Sequence, residues 1–382
     1  MANNNKHTGP NVPALRFPEF SGEWECKSLG EIGESLIGLT YSPSDVVKEG
    51  GTIVFRSSNI QDGVIDYGDL VRVSKKIKDS IITRDGDLLI CARNGSTRLI
   101  GKNALLKKSD EGQTFGAFMM VFRSIDNRFV HQLLSTKAYS TQVSENLGAR
   151  INQITTRNFA GYTFGMPQTL EEKEKIGTFL ELINDRIETQ SKIIEEQETL
   201  LRSLRHKIYS RVQAQSQCTI ADVLCYEQPT KYLVTDTYYT DDDSQVPVLT
   251  ANKAFILGYT TENFGIYDKG PCIILDDFTL DCKYVDFKFK VKSSAIKILR
   301  AKAKTNLRFI FEYFRFLELN TTEHRRHYIA EIEPMSILLP SNEEIDRIAR
   351  LFTALDERLE TARKELKILE SQKMYMLQKM FI

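Results

Sequence analysis

The sequence predicts an α+β protein: two globules of mixed β structure with short helices, separated by two long helices that form an antiparallel coiled coil, all in a pseudo-twofold internal repeat. Three observations predict it. The chain repeats itself at an offset of 172 residues, each copy carries a narrow apolar seam of helical period, and short β-type runs precede each seam. The implied order is an N-terminal tail over 1–23, a globule over 24–165, a spacer helix over 166–212, a linker over 213–217, a second globule over 218–339 and a second spacer helix over 340–382.

The first globule is read from Thr52-Ile53-Val54-Phe55, Asp87-Leu88-Leu89-Ile90-Cys91 and Phe118-Met119-Met120-Val121-Phe122, separated by Gly, Asp and Asn turns. A helix then opens at Pro167-Gln168-Thr169-Leu170-Glu171-Glu172, where Thr169 and Glu172 have capping-box spacing. From about Leu170 to Arg211 it would be roughly 60 Å long at 1.5 Å per residue. Its seam is Ile183, Ile187, Ile194, Leu201, Leu204 and Ile208, interrupted by Gln190 and Gln197. The second globule shows Cys272-Ile273-Ile274-Leu275 and Ser336-Ile337-Leu338-Leu339, and the second helix opens at Pro340-Ser341-Asn342-Glu343-Glu344 with the Ser341/Glu344 box. Its seam is Leu355, Leu359, Ala362, Leu366, Leu369, Met376 and Met380, interrupted by Lys373. The offset pairs Ile176 with Ile348, Arg186 with Arg358, Glu188 with Glu360, Thr189 with Thr361, Lys192 with Lys364, Glu198 with Glu370 and Lys207 with Lys379. Seams with charged flanks fit a coiled coil better than a face buried in a globule, so each helix has the other copy as its natural partner. Two equivalent units joined this way are most simply related by a pseudo-twofold axis, with globules at opposite ends.

Composition bounds the function. The chain has 382 residues, 41% hydrophobic and 27% charged, an ordinary globular balance with material for two domains. Its longest compact apolar run, Ala117 to Phe122, falls far short of the roughly 18 residues of a membrane span, and Met1-Ala2-Asn3-Asn4-Asn5-Lys6 is no signal core, so no membrane and a cytoplasmic location are expected. Cys26, Cys91, Cys218, Cys225, Cys272 and Cys282 form no CxxC pair, which predicts buried, reduced thiols. The 51 basic and 51 acidic residues cancel overall but segregate locally. Phe287 to Ile310 holds Lys288, Lys290, Lys292, Lys297, Arg300, Lys302, Lys304 and Arg308 without an acid; Leu88 to Ser109 holds Arg93, Arg98, Lys102, Lys107 and Lys108, again without one. Such runs suit phosphate contact, although most are simply solvated faces.

Catalytic signatures are scarce. There is no GxGxxG and no consecutive prolines, which excludes an Asn-Pro-Pro-Tyr type of amino-methyltransferase motif. Gly95 to Asn103 has five residues between its glycines instead of four, and Asn103 stands where a phosphate loop needs Ser or Thr. Asp276-Asp277 with Asp281-Cys282-Lys283 has a metal nuclease's spacing, yet a carboxylate-rich strand and turn explains it equally well. His324 and His327 make an HxxH with no third ligand evident.

Several segments resemble the specificity subunit of type I restriction-modification systems. In the first globule they are Phe55 to Gly63 (FRSSNIQDG), Gly86 to Ser96 (GDLLICARNGS), Phe115 to Met119 (FGAFM) and Leu147 to Thr156 (LGARINQITT). In the second they are Tyr226 to Tyr232 (YEQPTKY), Val248 to Lys253 (VLTANK), Asp276 to Thr279 (DDFT), Val291 to Ala295 (VKSSA) and Glu323 to Tyr328 (EHRRHY). The likeness runs from about residue 14 to the C-terminus. It implies that the globules are target-recognition domains, each reading half of a bipartite double-stranded DNA site, with the helix pair as spacer. It further implies a non-catalytic platform that binds two methyltransferase (modification) subunits through the helices and two restriction (translocase and endonuclease) subunits. No cofactor would bind this chain: S-adenosylmethionine belongs to the methyltransferase, which flips the target adenine, and ATP and magnesium to the endonuclease.

Base reading needs Arg, Lys, Asn, Gln, Ser or Thr on loops that reach base edges, with further basic and hydroxyl groups on phosphate. The loop Arg93, Asn94, Ser96, Thr97, Arg98 is the first candidate, joined by Lys102, Ser57, Ser58, Asn59, Asn152 and Gln153. In the second globule the candidates are Lys231, Tyr232, Thr250, Asn252, Lys253, Lys292, Ser293 and Ser294, with Arg325 and Arg326 on phosphate. A polar loop residue is more often a turn former, so each competes with a structural reading. The rival functions are a DNA-binding coiled-coil scaffold that recruits a different partner and, last, a metal nuclease centred on Asp281.

Overall fold

The computed structural model describes residues 11–61, 63–147, 152–251, 254–302, 305–321, 323 and 325–382. The chain forms two compact units, one of residues 1–190 with 365–382 and one of residues 191–364.

In the first unit, strands Glu25–Ser28 and Thr163–Met166 pair antiparallel and close the ends of the globule. A four-stranded antiparallel sheet has the order Glu34–Ile37, Met119–Arg123, Leu88–Cys91, Asn103–Leu105. A second sheet runs Thr114–Phe115, Thr52–Phe55, Val71–Val73, Val46–Val47, and its first pair is parallel. All of Leu88–Cys91 is buried because its alternate side chains enter two cores. Leu88 and Ile90 pack with Trp24, Phe122 and Phe129, while Leu89 and Cys91 pack with Phe55, Phe115 and Val121. A strand covered on both faces reads as a continuous apolar run.

The second unit repeats this order. Ser216–Thr219 pairs with Ser336–Leu339. An antiparallel sheet runs Leu224–Glu227, Ile296–Ala301, Cys272–Asp276, Cys282–Val285. A three-stranded sheet runs Ile256–Thr260, Val246–Leu249, Lys290–Val291, its last pair parallel. Again the central strand feeds two cores, Ile273 and Leu275 into one, Cys272 and Ile274 into the other. Matching elements drift in offset, from 191 residues between Glu25 and Ser216 to 172 between Leu170 and Asn342. The second globule is the shorter one, so a fixed offset finds the helices and misses the globules.

The long helices are Leu170–Tyr209, of 40 residues, and Asn342–Met380, of 39. Within the first unit Gln190 Nε2 donates to Glu365 Oε2 at 3.2 Å, while Leu180 shares a core with Leu377 and Met380. Within the second, Arg363 meets Glu198 at 2.6 Å and Tyr209 stacks on Phe352. Rising numbers on one helix meet falling numbers on the other in both units, so the segments are antiparallel.

Four expectations need correction. The helix faces widen where they join globules: Ile176, Leu180, Leu201, Tyr209, Ile345, Ile348 and Phe352 are buried in globular cores, whereas Ile183, Ile187 and Ile194 in the middle are only half-buried. The long-helix capping boxes are half formed. The amides of Glu172 and Glu344 donate to Thr169 Oγ1 and Ser341 Oγ, but the Glu172 carboxylate accepts from Arg16 and Trp24, and that of Glu344 from Arg347. Residues 11–23 are a docked segment rather than a tail, held by Arg16 on Glu172, Phe17 against Phe179 and Leu15 N on Lys379 O; Ser216 and Gln217 of the expected linker open a strand. All six cysteines are free thiols, but Cys26 is exposed and only Cys91 and Cys272 are buried, Cys91 being pushed up to about 11 by desolvation.

Candidate nucleic-acid interface

The first globule gathers its candidates from four chain segments. Strand Leu88–Cys91 delivers Arg93 to Arg98 at its C-terminal end, where Arg93 bridges Gln153 in backbone pairing and Asn152 Nδ2 donates to Gly95 O at 3.4 Å. Asn94 Nδ2 donates to Ser57 Oγ at 3.0 Å, tying in the segment after Thr52–Phe55. Asn94 Oδ1 accepts the Ser96 amide and shapes the loop, and Thr97–Leu99 forms a single 3₁₀ turn that exposes Arg98. Lys102 Nζ reaches the neutral Gln61 amide at 3.4 Å. Arg93 is exposed, its guanidinium 5.1 Å from the centre of the Phe118 ring, so the contacts of Arg93 and Lys102 are with a neutral ring and a neutral amide. Ser58 is exposed beside them.

Asn59 is corrected from reader to structural residue. It is fully buried, its Oδ1 accepts the Arg56 amide, and its Nδ2 donates to the carbonyls of Asp66 and Asp69. A buried amide spent on three backbone groups cannot reach a base edge without stranding them.

In the second globule the parallel pair Val248–Leu249 and Lys290–Val291 brings Thr250 and Lys292 side by side, followed by Ser293 and Ser294. Lys292 is exposed, 5.9 Å from the Tyr239 ring centre, and Ser294 is exposed; Ser293 Oγ accepts the Ala295 amide. Lys231 is exposed on the 3₁₀ turn Pro229–Tyr232, which the Leu233–Val291 bridge holds against the same strand. Tyr232 is corrected: it is buried against Tyr267 and donates to Glu227 at 2.7 Å. Arg325 is corrected as a phosphate contact, since Glu323 and Glu331 neutralise it at 2.5 and 2.6 Å; Arg326 remains exposed. Asn252, Lys253 and His324 lie outside the described residues.

Much of the second basic run is paired with acids, and its Lys304 lies outside the described residues. Lys290 and Lys297 are fully buried on Glu262 and Asp277, Lys288 pairs with Asp268, and Arg308 with Glu312 and Asp356. Burial alone would raise Glu262, but Lys290, the Thr235 hydroxyl and the amides of Thr235 and Asp236 hold it down to about 2. The nuclease reading fails on geometry: Asp277 is buried, accepting the amides of His327 and Tyr328, and Asp276 Oδ1 accepts those of Phe278 and Thr279. Among the described residues no group of three or more His, Cys, Asp or Glu could hold a metal ion, and no helix is long and apolar enough to cross a membrane.

Phe118 is the residue that sequence reasoning missed. Phe115 matches Val291, and the turn that follows is one residue longer in the second globule; Phe118, whose carbonyl accepts the Ala92 amide, corresponds to Ala295, whose carbonyl accepts that of Asp277. It reads as the start of a core strand, and only the three-dimensional turn shows it to be 59% exposed.

Two globules thus present polar loop clusters at corresponding strand ends. Residues 21–199 match the family described as the type I restriction modification DNA specificity domain. The chain is 42% identical over 156 residues to a type I restriction enzyme specificity subunit of Escherichia coli, a match covering 37% of this chain and 38% of that one. It is 29% identical over 180 residues to the EcoKI specificity subunit of Escherichia coli, covering 44% and 38%. It thus spans about two fifths of the length of these curated relatives. Among solved structures it is similar, at TM-score 0.71 and 14% identity over 97% of this chain and 99% of the other, to the S subunit of a type I restriction-modification system from M. genitalium. A chain from a structure of complex assembly in the type I R-M system gives TM-score 0.52 and 14% identity, covering 96% and 98%. At these identities the structural likeness is one of fold. Over residues 21–199 the chain is therefore similar to the specificity subunits of type I restriction-modification systems.

Proposed function

We propose that the chain is the DNA-reading, non-catalytic subunit of a type I restriction-modification enzyme. Each globule reads one half of a bipartite duplex target through the loops at its parallel strand pair, and the long helices set the distance between halves. Two methyltransferase subunits dock on the helices and two restriction subunits join them; S-adenosylmethionine is bound by the former, ATP and magnesium by the latter. The observation that carries this reading is the specificity-domain match over residues 21–199 together with the same element order repeated in the second unit. Base edges are read by Arg93, Asn94, Ser57, Gln153 and, in the second globule, Thr250, Lys292 and Ser294, with Arg98, Lys102, Lys231 and Arg326 on phosphate.

The test is single-molecule sequencing for methyladenine in cells expressing this chain with its neighbouring methyltransferase, against cells lacking the chain. A split motif with a fixed unspecified spacer is expected. No new methylation beside an otherwise active methyltransferase would overturn the reading in favour of a scaffold that recruits something else.

A further inference from the structure

We infer that Phe118 is an aromatic wedge that stacks on an opened base step in the half-site read by the first globule, with Arg93 clamped across its ring. The inference rests on the DNA-reading role proposed above and adds to it a contact of a different kind, apolar rather than hydrogen-bonded.

Singly exposed apolar residues are common and need no explanation by themselves. Phe118 differs in three respects. First, it is rigidly presented. Its carbonyl accepts both the Ala92 and Arg93 amides at 3.0 Å, Met119 N closes a turn onto Gly116 O at 2.8 Å, and Gly116 N and Ala117 N donate to Phe55 O and Leu39 O. Gly38 permits that frame, because a Cβ there would lie 2.3 Å from the carbonyl oxygens of Phe115 and Gly116. Second, the fold does not require the ring: in the second globule the residue whose carbonyl takes the equivalent bond, from the Asp277 amide, is Ala295. Third, the surroundings are complementary to nucleic acid. Arg93 lies 5.1 Å from the ring centre, Asn94, Ser57 and Asn152 join the same cluster, and residues 88–109 contain no acid. A fixed ring in a basic, amide-rich loop is the equipment of proteins that insert an apolar side chain between base steps.

The experiment uses the full chain with its methyltransferase and a duplex carrying the methylated motif found in cells, beside a scrambled duplex. Phe118→Ala is expected to weaken the motif duplex by roughly 5- to 150-fold, the range of one base–aromatic stack, leaving the scrambled duplex and the salt slope unchanged. Phe118→Leu, which keeps apolar bulk without a stacking face, should fall between. In Phe118→Trp the introduced indole should be quenched by the motif duplex and not by the scrambled one, read as the difference from the complex of the native chain, which shares every other tryptophan. A motif that is present, with Phe118→Ala binding it as tightly as the native chain, overturns the wedge and leaves the DNA-reading role standing. Absence of any motif removes that role and the wedge with it. Loss of the methyltransferase from Phe118→Ala, with DNA affinity intact, makes Phe118 a protein contact and overturns the wedge too.

Discussion

Glu312 is wholly buried on helix Leu307–Leu317 and serves two guanidiniums, Arg205 Nε at 2.8 Å and Arg308 Nη2 at 2.7 Å, while Arg308 also meets Asp356. The sixth residue of the matching helix Asn127–Leu133 is Gln132, which accepts a neutral hydrogen bond from Asn184, the position 172 residues before Asp356. At this position one junction of globule and long helix is ionic and the other amide-bonded, although the first junction has its own buried ion pair between Lys173 and Asp126. Removing one partner of a buried ion pair strands the other, so Glu312→Gln is expected to cost about 3–5 kcal/mol, read as a lower urea midpoint at unchanged slope. Glu262 gives a pH test. Its folded carboxyl is held down to about 2, below the ordinary 4.5, so the stabilisation is complete above about pH 4.5 and is lost as pH falls toward 2. The stability gap between native chain and Glu262→Gln should be full at pH 6 and close between pH 4.5 and 2 in urea titrations. Residue identity marked the polar loops in the sequence, but it did not separate exposed Arg93 from buried Asn59 and Tyr232. That distinction depends on which groups the folded chain leaves to be satisfied, backbone amides and carbonyls for Asn59 and the Glu227 carboxylate for Tyr232.

At the scale of elements, hydroxyl-to-Glu spacing located the capping residues of both long helices, Thr169 and Ser341, because the first free amides of any helix need an acceptor. Thr169→Ala and Ser341→Ala should each cost about 1 kcal/mol, measured by thermal unfolding. Glu172→Ala should cost more than Glu344→Ala, since only Glu172 is buried and joins Arg16 and Trp24. The same rule, applied at short range, finds complete boxes at Ser28/Glu31 and Thr219/Asp222, each opening a single-turn helix. The β-type runs were legible for a different reason. Leu88–Cys91 and residues 272–275 are apolar throughout because two cores claim their alternate faces.

For the whole molecule, the proposed ruler makes a quantitative demand. Inserting one heptad into each long helix lengthens it by about 10 Å, or roughly three base-pair steps. The spacer of the methylated motif should grow by about that number while both half-sites stay the same; a spacer that ignored helix length would defeat the ruler. By itself the sequence determined the duplication, the two long helices and the β character of what precedes them, because periodicity and capping are properties of neighbours along the chain. Tertiary structure alone decided which loops share a surface, which lysines of a basic run are buried on carboxylates, and that Phe118 stands out at a position where the second globule has Ala295. Those outcomes depend on strand pairing between segments tens of residues apart, where one position of register or one buried acid reverses what a side chain can touch.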